Sequence, residues 1–226
     1  AGWAIDWHGE GVPVPRITVP TATRFVIRGE LTLKGVAFDG YDGTTATRSD
    51  HLFDVFGTMT LREDAELLRF KLNTSKGKHT VYIENGGRFV QMDGSMIRQC
   101  EGGCAVYIAN GGTFDFEGGT ICDCINGNGA VNTVDGATVN VSGSAKAVDN
   151  FTASSATRAK KNVNLAKPTI LHLAGELTKT IGITRGTTAN AGTKFGVADV
   201  TDAAAKASAA YCVHLKSGPT PTVRCT

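Results

Sequence analysis

Carboxylates are the side chains of this sequence that could do hydrolytic or metal chemistry, so we ask first whether they cluster. A glycoside hydrolase needs two carboxyl groups about 5 to 9.5 Å apart, and a calcium ion needs several converging oxygen ligands. Asp39, Asp42 and Asp50 share one segment, but their spacing matches no calcium-binding loop. Asp115 and Glu117 are close in sequence, and we expect both to be solvated surface residues. The sequence therefore predicts no catalytic residue, no metal site and no cofactor.

Six cysteines are the second group of reactive side chains. An even number favours disulfides in an oxidising compartment, and six cysteines allow about 15 complete pairings. We expect Cys212 and Cys225 to pair first, because a predicted C-terminal hairpin places them opposite each other. Cys100 and Cys124 are predicted to stack in the turn of a repeat, either as small buried residues or as a disulfide. All the disulfide candidates are Cys100, Cys104, Cys122, Cys124, Cys212 and Cys225.

The histidines and the remaining cysteine spacings offer no convincing metal site. Cys-x₃-Cys and Cys-x-Cys depart from the usual spacing of zinc ligands. The histidines are scattered without ligand spacing, and each is predicted to be a loop or surface residue. They are His8, His51, His79, His172 and His214.

The composition predicts an all-β protein that does not bind nucleic acid. Glycine accounts for 28 of 226 residues and aromatic residues for 7%, which indicates short strands joined by many tight turns. The formal net charge is +2, from 23 basic and 21 acidic side chains, whereas a nucleic-acid surface needs clustered lysine and arginine. No apolar run approaches the roughly 18 residues of a membrane-spanning helix, so we expect no membrane insertion of this segment.

A repeated apolar pattern in the sequence predicts the strands that position the candidate side chains. Each copy has two runs of alternating apolar residues with a small residue between them, which predicts strands with one buried face. A third short apolar mark follows in most copies, so each unit carries three strands and three corners. In the third copy we expect Met92 to take the last inward position, after one extra residue. The end of the first run recurs at steps of 28, 28, 25 and 25, at Ile27, Val55, Ile83, Ile108 and Thr133.

Stacked copies of this unit predict a parallel β-helix with three-strand coils of about 25–28 residues. One unit cannot bury its own apolar face, but stacked units can. A β-propeller blade would need four strands and about 40 residues, and a leucine-rich repeat would need a helix or an asparagine ladder. Polar insertions at 39–50 and 71–79 are expected to be exposed loops at equivalent corners of adjacent turns.

Stacking places the outward residues of equivalent strands in columns. Tyr82 and Tyr107 are expected on consecutive turns, where they would offer a flat apolar shelf to a sugar ring or a peptide side chain. The alternative is a cross-strand aromatic pair that only stabilises the sheet. Asp54 shares their column, and Arg88 and Asp115 belong to the second strand of the unit. These five residues are the candidate ligand-binding set, and neither column stacks two carboxylates on adjacent turns.

The predicted domain organisation is a single β-helix with small ends. Residues 1–23 are assigned to an N-terminal cap or lead-in strand, and residues 24–226 to the β-helix domain. Within that domain we expect regular coils over 24–150, an irregular loop over 151–168, and final coils with a C-terminal cap over 169–226.

The two caps are predicted from local patterns, because an open solenoid end would expose strand edges. Trp3, Ile5 and Trp7 alternate and predict a capping strand. The segment Thr201–Ala210 predicts a short C-terminal helix with a threonine or aspartate cap. The residues after it predict a hairpin that turns near Gly218–Pro219.

The segment "GGCAVYIANGGTFDFEGGTICDC", Gly102–Cys124, is similar to repeats in bacterial surface proteins. It resembles right-handed parallel β-helix repeats of the pectin-lyase-like class, notably the passenger-type repeats of polymorphic outer-membrane proteins and related adhesins. The resemblance covers 24–150, and the tail from Lys167 is similar to segments that close such repeat blocks. It implies a right-handed β-helix and says little about chemistry, because one fold hosts many functions.

From these observations we expect a non-enzymatic secreted or cell-surface module, extracellular in location, that is a segment of a longer exported protein. Its expected partners are host or matrix glycans or proteins, in adhesion. The first alternative is a polysaccharide lyase or hydrolase on the same fold, and the second is a purely structural stalk. A cluster of acidic and basic residues on one face would favour the enzyme, and a face lined by threonine and tyrosine would favour the binder.

Overall fold

The regular secondary structure of the described part of the chain consists almost entirely of short β-strands. The computed structural model describes residues 2–6, 13–41, 46–152, 160–165, 171–179, 181–185 and 222–223. Within these ranges one short 3₁₀ helix occurs, at Thr74–Lys76. The strands are β1 (Gly2–Asp6), β2 (Arg16–Thr18), β3 (Phe25–Ile27), β4 (Glu30–Lys34), β5 (Ala37–Asp39), β6 (Phe53–Val55), β7 (Thr58–Arg62), β8 (Glu66–Leu68), β9 (Val81–Ile83), β10 (Arg88–Gln91), β11 (Met96–Arg98), β12 (Val106–Ile108), β13 (Thr113–Phe116), β14 (Thr120–Cys122), β15 (Val131–Thr133), β16 (Thr138–Gly143), β17 (Lys146–Val148), β18 (Val163–Leu165), β19 (Leu171–Leu177), β20 (Ile181–Arg185) and β21 (Thr222–Val223).

These strands stack into three parallel sheets, because each strand pairs with the strand three places along the chain. Sheet A has the order β1-β4-β7-β10-β13-β16-β19, sheet B the order β2-β5-β8-β11-β14-β17-β20, and sheet C the order β3-β6-β9-β12-β15-β18. Strand β20 also pairs with β18, and β21 lies antiparallel to β20. From Phe25 to Val148 the chain winds about five regular turns, each passing through sheets C, A and B. The predicted all-β parallel β-helix with three-strand coils is confirmed, and its right-handed winding stays a prediction.

The register of sheet C follows the sequence repeat. Val55 pairs with Ile27 and with Ile83, and Ile108 pairs with Ile83 and with Thr133. The steps of 28 and 25 residues therefore each correspond to one turn of the solenoid. The insertions at 39–50 and 71–79 both fall at the corner between sheets B and C, where an added loop does not disturb the stacked strands.

The interior is a stack of apolar side chains from all three sheets. Phe89 and Phe114 are fully buried, and their rings stack at 5.3 Å between centroids with an interplanar angle of 11°. Each fully buried side chain of this kind stabilises the fold by about 1.5 to 3 kcal/mol. Because equivalent strands contribute to every layer, the interior is one continuous core from Val19 to Ile181.

One inward position differs from the sequence prediction. Gln91, and not Met92, pairs in register with Leu61 and Phe116, and it is fully buried. Its amide Nε2 donates to the Thr120 carbonyl at 3.3 Å. The prediction of Met92 is wrong because it assumed an apolar residue at every inward position. A buried amide with a backbone hydrogen-bond partner, as in Gln91, can also occupy such a position.

The ends of the chain are described in part. Strand β1 adds to sheet A in parallel, with Trp3 opposite Leu31 and Ile5 opposite Leu33. Trp7, the predicted C-terminal helix and the turn of the predicted hairpin lie outside the described residues. The segment 151–168, which the sequence analysis assigned to an irregular loop, contains β18.

The corner between sheets B and C has the same backbone feature on four consecutive turns. Arg69, Gln99, Asp123 and Asp149 each follow a sheet B strand directly and adopt φ between 53° and 58°. Non-glycine residues are uncommon in this left-handed region. This repeated sharp bend aligns the following residues of each turn along one side of the solenoid.

Candidate functional site

The predicted tyrosine pair lies on the outer face of sheet C, as one stack. Tyr82 and Tyr107 are partners in the parallel register of β9 and β12. Their ring centroids are 5.1 Å apart with an interplanar angle of 9°. Because the two rings face each other, the facing sides are not available to a ligand, and this part of the column presents ring edges. The pair therefore offers a ligand less ring surface than the flat shelf expected from the sequence. The stacked rings instead stabilise sheet C across neighbouring strands.

Two histidines, each predicted from the sequence to be a loop or surface residue, extend this stack. His51 lies 4.4 Å from the Tyr82 ring and His79 lies 4.3 Å from the Tyr107 ring, between centroids. Their exposed fractions are 9% and 6%. Both residues lie in loops, which agrees with the loop part of the prediction, but both are buried, because each side chain has a specific hydrogen-bond role between turns.

That role determines the protonation state of the two histidines. The Nδ1 of His51 accepts the backbone N–H of His79 at 3.0 Å, and the Nδ1 of His79 accepts the backbone N–H of Cys104 at 3.1 Å. A ring nitrogen that accepts a hydrogen bond carries no proton, so both rings are neutral with the proton on Nε2. Burial lowers the pKa of His51 to about 4 and the pKa of His79 to about 3.

Asp54 lies in the same column but is not accessible. Its carboxylate is fully buried and accepts a hydrogen bond from the Nε of Arg24, whose side chain is 46% exposed. Glu84 lies nearby, and burial followed by the charge of Asp54 raises its pKa. Two unlike carboxylates on adjacent turns are typical of acid–base sites. A general base must reach its proton, however, and Arg24 covers Asp54.

Arg88 and Asp115 form a separate cluster on sheet A. The Nε of Arg88 donates to Asp115 Oδ2, and Asn140 Nδ2 donates to Asp115 Oδ1 at 2.6 Å. Asp115 is only 5% exposed, so the expectation of a solvated surface residue is wrong. Both carboxylate oxygens of Asp115 accept hydrogen bonds from side chains on neighbouring turns, so its role is structural. The five predicted site residues therefore belong to two sheets and do not form one site.

The predicted disulfides are absent among the described cysteines. Cys100, Cys104, Cys122 and Cys124 are all free thiols, and this corrects the prediction for those four residues. Cys100 and Cys124 are stacked, fully buried neighbours, and their mutual hydrogen bond is the main cause of the raised pKa of Cys124. Burial raises the pKa of Cys104 to about 12, so this thiol is a poor nucleophile. The pair predicted first, Cys212 with Cys225, lies outside the described residues.

A groove at the corner between sheets B and C is the feature that the sequence analysis missed. It has a volume of about 580 Å³. Tyr41 lines it from the first regular turn, Lys71 from the second, Glu101 from the third, Asp123 from the fourth and Phe151 from the fifth. Because each of the five turns contributes lining residues, the groove runs along the solenoid axis. No sequence motif predicts it, although Gly40, Tyr41 and Ala46, which line its first part, belong to the polar insertion at 39–50.

One end of the groove is held by a charged cluster. Arg69 donates from Nε to Asp39 Oδ1 at 3.0 Å and also pairs with Asp39 Oδ2. Asp39 is almost fully buried, and it accepts the backbone N–H of Tyr41 at 3.0 Å. The Arg69 guanidinium lies 4.9 Å from the centroid of the Tyr41 ring. These contacts position Tyr41, whose exposed fraction is 52%, at the mouth of the groove.

The rest of the groove carries charges that the protein does not neutralise. Lys71, Glu101 and Asp123 are exposed, and none of them has an ion-pair partner among the described residues. Lys71 pairs with Glu101 in a backbone bridge between adjacent turns, and Glu101 pairs in the same way with Ile125. The groove therefore passes from a basic part through an acidic part to an apolar part lined by Ile125 and Phe151.

The described residues offer neither a metal site nor a membrane helix. No group of three or more His, Cys, Asp or Glu side chains in this part of the chain is placed to hold a metal ion. Within the same ranges, no helix has the length and apolar character needed to span a membrane.

Comparison with known proteins adds no relative. No family model matches the chain, and neither a curated protein nor a solved structure matches it. The chain is therefore assigned to the parallel β-helix fold on its own repeat and strand pairing.

Proposed function

We propose that the chain is a non-enzymatic binding module of a secreted or cell-surface protein, similar in role to the passenger-type repeats of bacterial adhesins. It binds glycans or protein segments outside the cell. The groove between sheets B and C is the observation that carries this proposal. Its volume of about 580 Å³ lies within the roughly 300 to 1,000 Å³ of ligand sites, and it combines aromatic, charged and amide side chains.

The exposure of the charged groove residues supports binding over catalysis. Lys71, Glu101 and Asp123 are all exposed to solvent. Electrostatic stabilisation of a transition state is largest where water is excluded, whereas recognition of a polar ligand tolerates a wet groove. The stacked tyrosines and the paired Asp54 and Asp115 contribute rigidity to the scaffold that holds the groove.

A polysaccharide lyase or hydrolase is the second candidate, because the groove does bring acidic and basic side chains together. Glu101 and Asp123 come from adjacent turns, and Lys71 comes from the turn before them. This is the kind of cluster that an enzyme acting on a sugar polymer would need. Depolymerisation of a uronate polymer or a neutral polysaccharide by the purified protein would establish this alternative and overturn the first proposal.

The binding proposal is tested on arrays of glycans and immobilised matrix proteins. The Tyr41→Ala, Lys71→Ala double variant should weaken binding by about tenfold or more, because a lost aromatic anchor alone can remove more than 1 kcal/mol. Lys146→Ala removes an exposed lysine outside the groove and should bind like the wild type. Unchanged binding by the double variant would show that the groove is not the site. Loss of binding in a Tyr82→Phe, Tyr107→Phe variant would instead move the site to sheet C.

A further inference from the structure

We infer that the groove takes an extended peptide whose alternate residues are acidic, basic and apolar, in that order. This inference rests on the proposed binding function and names the ligand class of the same groove. It follows from the order of the lining charges, from their spacing along the solenoid axis, and from the absence of ion-pair partners for them among the described residues.

The order of the lining side chains follows from the turn on which each lies. Lys71 belongs to the second regular turn, Glu101 to the third, Asp123 to the fourth and Phe151 to the fifth. Arg69 lies beside Lys71, but its charge is already engaged by Asp39. Lys71 is thus the cation available to a ligand at one end, Glu101 and Asp123 are the anions in the middle, and Phe151 closes the other end.

The spacing of these groups suits an extended chain. Neighbouring parallel strands lie about 4.8 Å apart, so the midpoint of Glu101 and Asp123 is about 7 Å from the level of Lys71. The level of Phe151 lies about 7 Å farther along the axis, by the same strand spacing. Alternate residues of an extended peptide are about 6.6 Å apart and point to one side. A peptide with three alternate side chains therefore reaches all three parts of the groove at once.

The charges favour a peptide over a sugar polymer. A uronate polymer would place carboxylates beside Glu101 and Asp123, where like charges repel. A neutral glycan would partly desolvate Lys71 and both carboxylates without offering them an opposite charge. A peptide that carries one acidic and one basic residue meets all three charges with opposite ones. Complementary charges of this kind determine which partner is selected and in which register it binds.

The test uses two synthetic seven-residue peptides of the same composition. The matched peptide, acetyl-Ser-Glu-Ser-Lys-Ser-Leu-Ser-amide, has the acidic, basic and apolar order. The permuted peptide, acetyl-Ser-Lys-Ser-Glu-Ser-Leu-Ser-amide, breaks that order for either chain direction. Binding is measured by isothermal titration calorimetry at low ionic strength and again in 0.5 M salt. The matched peptide should bind about three- to tenfold more tightly, since exposed charge pairs contribute only modestly to affinity, and added salt should reduce the difference.

A charge exchange within the groove provides the decisive variant. In the Lys71→Glu, Glu101→Lys double variant the first part of the groove becomes acidic, and the middle part, which keeps Asp123, loses its net negative charge. The preference should therefore shift toward the permuted peptide. The control exchanges two exposed charges outside the groove, in the Lys146→Glu, Glu117→Lys variant, and should keep the wild-type preference. Circular dichroism and thermal unfolding of both variants establish that each remains folded.

The outcomes separate this inference from the proposed function. Equal affinity for the two peptides in the wild type, or an unchanged preference after the charge exchange, would overturn the peptide inference. If the groove variant Tyr41→Ala, Lys71→Ala lost binding to a neutral glycan at the same time, the binding function would stand with a sugar as its ligand. If no peptide, glycan or protein responded to the groove variants, both proposals would fail.

Discussion

Acid should destabilise this fold through His51 and His79, because both rings must stay neutral to accept backbone hydrogen bonds. Protonation of Nδ1 would place an N–H against the N–H that it now accepts, at 3.0 and 3.1 Å between nitrogens. The folded pKa values of about 4 and about 3 lie below the ordinary histidine value of 6.5. The unfolded chain therefore takes up protons first as the pH falls below 6.5, and the folded state loses stability through that range.

The size of the effect follows from the width of the pH interval. Each pH unit between the unfolded and folded pKa values corresponds to about 1.36 kcal/mol for one group. Between pH 6.5 and pH 5 each histidine should lower the free energy of unfolding by about 2 kcal/mol, and the pair by about 4 kcal/mol. This stability is fully present above pH 6.5 and continues to fall until the pH reaches the folded pKa values.

Urea unfolding followed by circular dichroism at pH 7.5 and pH 5 measures this loss. Asparagine is the matched substitution, because its Oδ1 can accept the same backbone N–H but does not titrate. The His51→Asn, His79→Asn double variant should lose about 4 kcal/mol less than the wild type between these pH values, and each single variant about 2 kcal/mol less. The carboxylates change the free energy of unfolding equally in every variant as the pH falls, so their contribution cancels when the variants are compared. Equal losses in the wild type and the double variant would refute the assignment of neutral, buried histidines.

Two further predictions concern backbone approach and a buried charge. Gly103→Ala should destabilise the protein by about 1 to 3 kcal/mol in thermal or urea unfolding, because its Cβ would lie 1.7 Å from the Lys78 carbonyl oxygen. Gly127→Ala meets nothing within 4 Å and should behave like the wild type, so equal effects of the two substitutions would contradict the predicted close contact. Arg24→Met should cost about 1 to 3 kcal/mol, because it leaves Asp54 buried without its partner. Adding Asp54→Asn should recover part of that loss, and a still less stable double variant would argue against a buried charge as the cause.

The strand positions were predictable because they depend on a local pattern that recurs every turn. Val81, Ile83, Val106 and Ile108 alternate with outward tyrosines, and stacking like residues on like residues is the arrangement that buries both pairs. The Tyr82–Tyr107 stack follows from the same period. Gln91 marks the limit of this reasoning, since a buried amide whose Nε2 donates to a backbone carbonyl breaks the apolar pattern without breaking the strand.

The site was less predictable because side-chain partners come from different turns. The sequence predicts Asp115 to be an exposed carboxylate, and only the structure places Arg88 and Asn140 on either side of it. His51 and His79 are loop residues, as predicted, but only the structure shows that the next turn supplies a backbone N–H to each ring. Such partners lie about one turn away in sequence, and loops of unequal length intervene, so spacing alone does not identify them.

The sequence by itself determined the solenoid, the three strands of each coil and the stacked column of Tyr82 and Tyr107. The tertiary structure alone decided which polar residues are enclosed and where a ligand could lie. The physical reason is that a repeated apolar pattern can be satisfied in one way, by stacking equivalent strands. The groove from Tyr41 to Phe151 is instead a shape formed by five corners together, and no single segment of the chain encodes it.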